Sequence, residues 1–101
     1  MPAYLVGWVK VNDPAGMKEY AAGSHPSIHQ YGGKILWAGP PAGALEGDFD
    51  AHGLAVVEFP SQEALQQWYD SPEYAEWLDL RKRSADSVML MTPEAPAGGM
   101  D

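Results

Sequence analysis

Cysteine is absent from the 101 residues, so neither a disulfide nor thiolate chemistry is available to this chain. No apolar run approaches the roughly 20 residues that a membrane-spanning helix needs. Residues 1–11 carry neither a basic leader nor a long apolar core, and we therefore expect no signal peptide. Together these absences predict a cytoplasmic protein, because reducing compartments do not rely on disulfides.

Basic residues are scarce: 6 lysines and arginines stand against 14 acidic residues, for a net charge of −8. Such a field repels phosphate backbones and anionic lipids, so we expect neither nucleic acid nor a membrane as partner. Arg81, Lys82 and Arg83 form a short cluster that complements the negative end of a predicted helix. It is too short for a nucleic-acid patch.

Apolar periodicity and turn signals predict four strands, at residues 3–11, 34–39, 54–59 and 88–92. A first helix begins at Asp13-Pro14, where an N-cap residue precedes a proline. Gly23 and Pro26 interrupt its pattern, which predicts a kink or a restart near Ser24.

A second helical region, capped by Ser61, breaks at Asp70 and restarts at Ser71-Pro72. The resulting order, β-α-β-β-α-β, predicts an α+β, ferredoxin-like domain with a four-stranded antiparallel sheet and its helices on one face. We assign residues 1–92 to this domain and expect residues 93–101 to be a flexible tail.

The predicted strands are apolar on both faces. The second strand, for example, is predicted to place Leu36 and Ala38 on one face and Ile35 and Trp37 on the other. The helices cover one face only, and soluble monomers rarely expose several hundred Å² of apolar surface. The simplest cover is a second copy, so we predict a homodimer that packs sheet against sheet.

Several fragments occur in an order and spacing typical of a known family: 31–34 (YGGK), 45–47 (LEG), 57–61 (VEFPS) and 68–74 (WYDSPEY). With them the chain resembles the bacterial family named domain of unknown function thirteen-thirty, of the dimeric α/β-barrel superfamily, over about residues 4–92. The resemblance implies a dimer whose two sheets form a barrel. It implies no particular reaction, because the superfamily includes monooxygenases, isomerases and haem-dependent enzymes.

Two histidines are candidates for chemistry. His25 and His29 lie four residues apart, which on a continuous helix places both imidazoles on one side, as an acid–base couple or a metal pair requires. Pro26 disturbs that turn, so two surface histidines are the simpler interpretation. His29 is the better catalytic candidate because it lies beside Ile28 and Tyr31, near the predicted sheet edge.

Glu58 is a carboxylate within an otherwise apolar strand. It is either a catalytic base or, more simply, the partner of a cation such as Lys10 or Arg81. Arg81, on the apolar face of the last helix, is then either that partner or a clamp for an anionic ligand.

The loop 40–52 is longer than most connections, so it is a candidate lining of a pocket. Acidic residues alternate along it with a final histidine: Glu46, Asp48, Asp50 and His52. This spacing is compatible with a divalent cation, but a solvated acidic loop is the commoner case, and we predict no metal site.

Aromatic residues are numerous for a chain of this length, and they serve either packing or a pocket for a flat organic ligand. The candidate ligand-binding residues are Trp8, His25, Trp37, Tyr69 and Arg81. The sequence contains no nucleophile triad motif, phosphate-binding glycine loop or dinucleotide fingerprint, so we expect no cofactor.

Our leading hypothesis is a cofactor-independent small-molecule pocket between sheet and helices, used either for catalysis or for binding. If the pocket is catalytic, we expect proton transfer or isomerisation, with His29 or Glu58 as the base and Arg81 orienting an anion. The alternative is a non-catalytic dimeric binding or structural module.

Overall fold

The computed structural model describes residues 1–94. It contains strands β1 (Ala3–Val11), β2 (Lys34–Gly39), β3 (Gly53–Phe59) and β4 (Ala85–Met91), with helices α1 (Pro14–Gln30), α2 (Gln62–Tyr69) and α3 (Pro72–Ser84). The strands form one antiparallel sheet in the order β2-β3-β1-β4. The predicted ferredoxin-like α+β fold is confirmed, although β4 begins three residues earlier than expected.

Each helix begins where its capping residue predicts. The Asp13 carboxylate accepts a hydrogen bond from the Gly16 N–H at 3.2 Å. The Ser61 and Ser71 hydroxyls open α2 and α3 in the same way, at 3.0 and 3.3 Å. Each cap satisfies an N–H that has no partner within its helix, which fixes the start of that helix.

The predicted restart near Ser24 is wrong, because α1 runs without a break from Pro14 to Gln30 and contains Pro26. Gly23 has a different role from the one that the sequence suggested. A side chain at this position would overlap the indole of Trp77, so the glycine allows α3 to approach α1 closely. As a result α1 packs mainly against α3 rather than directly on the sheet.

The sheet has a helix face, covered by the three helices, and an open face on the other side. The core lies under the helix face and contains Leu5, Ile28, Val57, Phe59, Leu65, Trp68 and Tyr74. The strand registers place on the open face Tyr4, Val6, Trp8, Lys10, Lys34, Trp37, Leu54, Val56, Glu58, Asp86, Val88 and Leu90.

A β-bulge in β2 changes the predicted faces of that strand. Ile35 lies opposite Val57 and Trp37 lies opposite Val56, so Leu36 is the extra residue. Ile35 and Ala38 therefore share the helix face, whereas Trp37 lies on the open face. The prediction that paired Ile35 with Trp37 was wrong because it assumed unbroken alternation.

Part of the predicted tail makes a defined contact. A carboxylate oxygen of Glu94 accepts a hydrogen bond from the Gln62 N–H at the start of α2, at 3.2 Å. The rest of that tail, 95–101, lies outside the described residues. Within residues 1–94, none of the helices combines the length and apolar character needed to cross a membrane.

Candidate functional site

A cavity of about 300 Å³ lies between the helix face of the sheet and α1. The cavity exists because α1 packs mainly against α3 and makes few contacts with the strands. The residues that line it are mostly apolar and include Leu5, Gly7, Val9, Met17, Ile28, Ile35, Ala38, Ala55, Val57, Trp68 and Met89.

The floor of the cavity consists of small residues on three adjacent strands. Gly7 of β1 lies opposite Ala55 of β3, and Ala55 lies opposite Ala38 of β2. Larger side chains at Ala38 or Ala55 would reach towards α1 and fill the space. Above Gly7 the space is taken by Met89, because a Cβ at this position would overlap the Met89 sulfur. The sequence contained this signal, but recognising it required the strand register and the bulge at Leu36, which places Ala38 on this face.

A few polar side chains also line the cavity: Tyr20, Ser24, His25, His52 and Arg81. The Nδ1 atom of His52 accepts a hydrogen bond from the Val11 N–H at 2.8 Å. This bond requires the neutral tautomer with its proton on Nε2, and it holds the ring in one orientation. Sequence analysis had considered His52 only as a metal ligand of the loop.

Arg81 is the charged residue of the cavity and is only 3% exposed. Its Nε has no hydrogen-bond partner among the described residues. The ion pairs within residues 1–94 join Lys10 to Asp50 and Arg83 to Asp79, and neither includes Arg81. The guanidinium thus enters the interior without a carboxylate, and an arginine cannot lose its charge by deprotonation.

The aromatic surroundings of Arg81 compensate its burial only partly. Its guanidinium carbon lies 5.9 Å from the centroid of the Tyr20 ring, a cation–π contact worth about 0.5–2 kcal/mol. Burying an ion without a partner costs several kcal/mol. The cation–π contact does not offset the cost of burial, so a negative group beside Arg81 would stabilise the folded protein.

Tyr74 does not supply this negative group. Its hydroxyl lies 2.7 Å from that of Tyr20. Burial, the main cause, raises the pKa of Tyr74 far above its usual value, although the positive charge of Arg81 acts in the opposite direction. Tyr74 is therefore a neutral phenol at physiological pH.

The two residues predicted as catalytic bases do not line the cavity. His29 is an exposed residue of α1, and Glu58 lies on the open face of the sheet. The expected pairing of Glu58 with Lys10 or Arg81 is wrong, because Lys10 binds Asp50 and Arg81 lies on the other side of the sheet.

The residues that lie opposite Glu58 in the register are Tyr4 and Lys34. Loss of hydration, followed by the negative charge of Glu58, raises the pKa of Tyr4. Glu58 is thus part of the open face and of its polar contacts, and the structure separates it from the other candidate site residues.

The five predicted ligand-binding residues occupy three places. His25 and Arg81 line the cavity. Tyr69 lines a second hollow of about 250 Å³ beside Leu65 and Met91 of the helix face. Trp8 and Trp37 lie on the open face, where the Trp8 ring contacts Phe49 edge to face at a centroid distance of 5.7 Å.

The acidic loop 40–52 is joined to β1 by a salt bridge. Asp50 binds the Lys10 ammonium at 3.0 Å, and this hydrogen bond and charge lower the pKa of Asp50. Within residues 1–94 no three histidine or carboxylate side chains come together in a way that could hold a metal ion.

The fold and the cavity define a small ferredoxin-like α+β protein with an apolar chamber between its sheet and first helix. The chain belongs to the family described as "Domain of unknown function (DUF1330)", whose model matches residues 2–94. The resemblance noted from the sequence is thereby confirmed. No curated protein matches the chain.

Solved structures share this fold at low sequence identity. A protein of unknown function from Rhodopseudomonas palustris is 24% identical with a TM-score of 0.77, over 94% of this chain and 84% of that one. SnoaB, a cofactor-independent oxygenase from Streptomyces nogalater, is 12% identical with a TM-score of 0.68, over 96% of both chains. A dimeric ferredoxin-like protein of unknown function from Jannaschia is 10% identical with a TM-score of 0.71, over 93% of this chain and 100% of that one.

Proposed function

We propose that the protein binds a small, mostly apolar organic molecule in the cavity between the sheet and α1. The observation that carries this proposal is the pair of small residues Ala38 and Ala55 on the cavity floor, which leaves about 300 Å³ open at the centre of the domain. Small-molecule sites have volumes of roughly 300 Å³ upwards, and their walls are apolar with a few polar groups. Both features are present here.

A role without a cofactor is part of this proposal. SnoaB has the same fold and is described as a cofactor-independent oxygenase, which supports the view that the fold accommodates chemistry without one. For a catalytic version of the site we propose proton transfer or isomerisation, because His25 presents an imidazole to the cavity and Nδ1 of His52 is already used by the Val11 N–H. The cavity geometry does not support His29 or Glu58 as the base.

The alternative is a non-catalytic module that binds its ligand and leaves it chemically unchanged. This alternative uses the same cavity and the same lining residues as the catalytic version. His52 suits this alternative, because its Nδ1 is held by the Val11 N–H and its Nε2–H can only donate a hydrogen bond to a ligand.

Ligand binding can be tested with two flat probes of the same size, 2-naphthoate and 2-naphthamide. In an amide NMR titration, at least one probe should shift the signals of Gly7, Ala38 and Ala55. The Ala55→Leu variant should abolish these shifts, because the larger side chain occupies the space of the ligand. Ala75→Leu, the same change at an exposed position of α3, should retain them.

The proposal fails when neither probe shifts the signals of the cavity floor, or when the shifts cluster around Trp37 on the open face. It also fails when Ala55→Leu and Ala75→Leu bind the probes equally well, because the cavity would then have no part in binding.

We further propose that two copies associate through their open faces. Trp37 is 55% exposed and Leu90 is 50% exposed on this face, beside the exposed Val88. The protein from Jannaschia is described as dimeric, which supports self-association of this fold. A second copy would bury these apolar side chains, and each Å² removed from water contributes roughly 25 cal/mol before the cost of association.

A further inference from the structure

We propose that the ligand of the cavity is a small organic anion whose negative group pairs with Arg81. This inference rests on the proposed function and adds the chemical class of the ligand. Its basis is the combination of a guanidinium that is almost fully buried and a cavity that the same guanidinium lines.

Nothing within residues 1–94 neutralises Arg81. Its Nε is buried without a hydrogen-bond partner. The carboxylate two residues earlier in α3, Asp79, binds Arg83 at 3.0 Å. The neighbouring phenol of Tyr74 is neutral, and Glu58 lies on the other side of the sheet. A negative charge that reaches Arg81 therefore has to enter through the cavity.

The guanidinium also restricts the kind of anion. Its planar, forked N–H groups match the two oxygens of a carboxylate, and the same geometry suits other planar or tetrahedral oxyanions. Small apolar residues on the floor leave room beside it for a hydrocarbon or aromatic body. The geometry thus fits a molecule with an apolar body and one acidic end.

The charge of the whole chain limits the ligand further. At −8, the protein repels anions in proportion to their charge, and this repulsion must be overcome by one buried cation. A monoanion meets that condition far more easily than a nucleotide or another polyanion. We therefore infer a monoanion, with a carboxylate as the best match.

The test compares 2-naphthoate with 2-naphthamide, which differ in charge but hardly in shape. By isothermal titration calorimetry, wild-type protein should bind the carboxylate about tenfold or more tightly than the amide, as expected for a hydrogen bond to a charged group. Arg81→Met should remove this preference and leave the affinity for the amide unchanged within about twofold. Methionine keeps an unbranched apolar side chain out to about the position of Nε and removes the charged guanidinium.

Arg83→Met is the matched control. It makes the same change of net charge on the same helix, but Arg83 is exposed and paired with Asp79. It should retain the preference for the carboxylate. The comparison of the two probes on wild-type protein needs no variant, so the test holds even where a substitution at position 81 prevents folding.

The possible failures are distinguishable. When both probes bind in the cavity with equal affinity, or when Arg81→Met retains the preference for the carboxylate, the anion inference is overturned and the proposed ligand cavity stands. When neither probe binds in the cavity, both are overturned.

Discussion

The hydroxyl of Ser27 connects α1 to α2 in the buried part of the domain. It accepts a hydrogen bond from the Trp68 indole N–H at 3.0 Å and donates one to the Ser24 carbonyl at 2.6 Å. Trp68 in turn contacts Tyr74 with ring centroids 4.0 Å apart. One small polar side chain therefore fixes the orientation of the largest residue of the core.

The Ser27→Ala variant should lower the free energy of unfolding by about 1–3 kcal/mol, because it leaves the indole N–H of Trp68 buried without an acceptor. Urea unfolding followed by circular dichroism measures this change. In a Trp68→Phe background, which has no indole N–H, the same substitution should cost clearly less. An equal cost in both backgrounds would show that the hydrogen bond contributes little.

Some residues of the cavity were identified from the sequence, and others were not. Arg81 was recognised because a cation on the apolar side of a helix is unusual, and His25 because of its spacing from His29. Gly7 and Ala55 were missed, since small residues in a strand acquire a meaning only when neighbouring strands are aligned. The choice of His29 was made from the chain neighbours Ile28 and Tyr31, which do not determine the direction of a helical side chain.

At the scale of elements, the bulge in β2 decides which side chains reach the cavity. Leu36 and Trp37 together oppose Val56, so from Trp37 onward each side chain lies on the opposite face from the one that an unbroken strand would give it. A pattern of alternating residues cannot reveal an extra residue, because the extra residue shifts the pattern itself. The strand limits of β2 were therefore predicted correctly, whereas its faces were not.

Deletion of Leu36 should be tolerated, because Ile35, Trp37 and Ala38 would keep their faces in a regular strand. The variant should retain the circular dichroism spectrum of the wild type and lose no more than about 2 kcal/mol of the free energy of unfolding. Deletion of Val56 is the matched control, since the register of β3 with β1 is unbroken there and the rest of β3 would change faces. Similar losses from both deletions would contradict the assignment of the bulge.

The helices illustrate a second limit of sequence reasoning. Their N-termini were predicted correctly because capping is local: Asp13, Ser61 and Ser71 each bind an N–H three residues ahead. The sequence left open whether α1 kinks or restarts near Ser24, because the packing of α1 against α3 is not visible in the local pattern. Gly23 suggested a break in isolation, yet it is the position at which Trp77 packs.

At the scale of the whole molecule, the proposed self-association can be tested on the open face. Leu90→Glu should weaken the dimer at least about 100-fold, since it places an unpaired carboxylate in the interface. Sedimentation at micromolar concentration should then give a particle of 10.9 kDa, whereas the wild type should have twice this mass.

Leu45→Glu is the matched control for that prediction. Leu45 is fully exposed in the loop 40–52, at 108%, so the same substitution changes the net charge equally without touching the open face. It should leave the sedimentation of the dimer unchanged. A wild-type protein that sediments at 10.9 kDa would refute self-association itself.

The sequence predicted the topology of the domain because each strand and helix carried its own local signals. It predicted a second apolar face by the same reasoning, and that face is present. The cavity could not be predicted, since it depends on the packing of α1 against α3 and on two small residues, Ala38 and Ala55, that are far apart in the chain.

In three strands, alternate side chains serve different proposed properties: one set lines the ligand cavity and the other forms the surface for self-association. In β1, β3 and β4, odd-numbered side chains face the helices and even-numbered side chains face away. Mutations at odd positions such as Ala55 can change what is recognised, while even positions such as Leu90 continue to hold the copies together. In evolutionary terms, selection can diversify recognition among descendants of one gene without rebuilding their assembly.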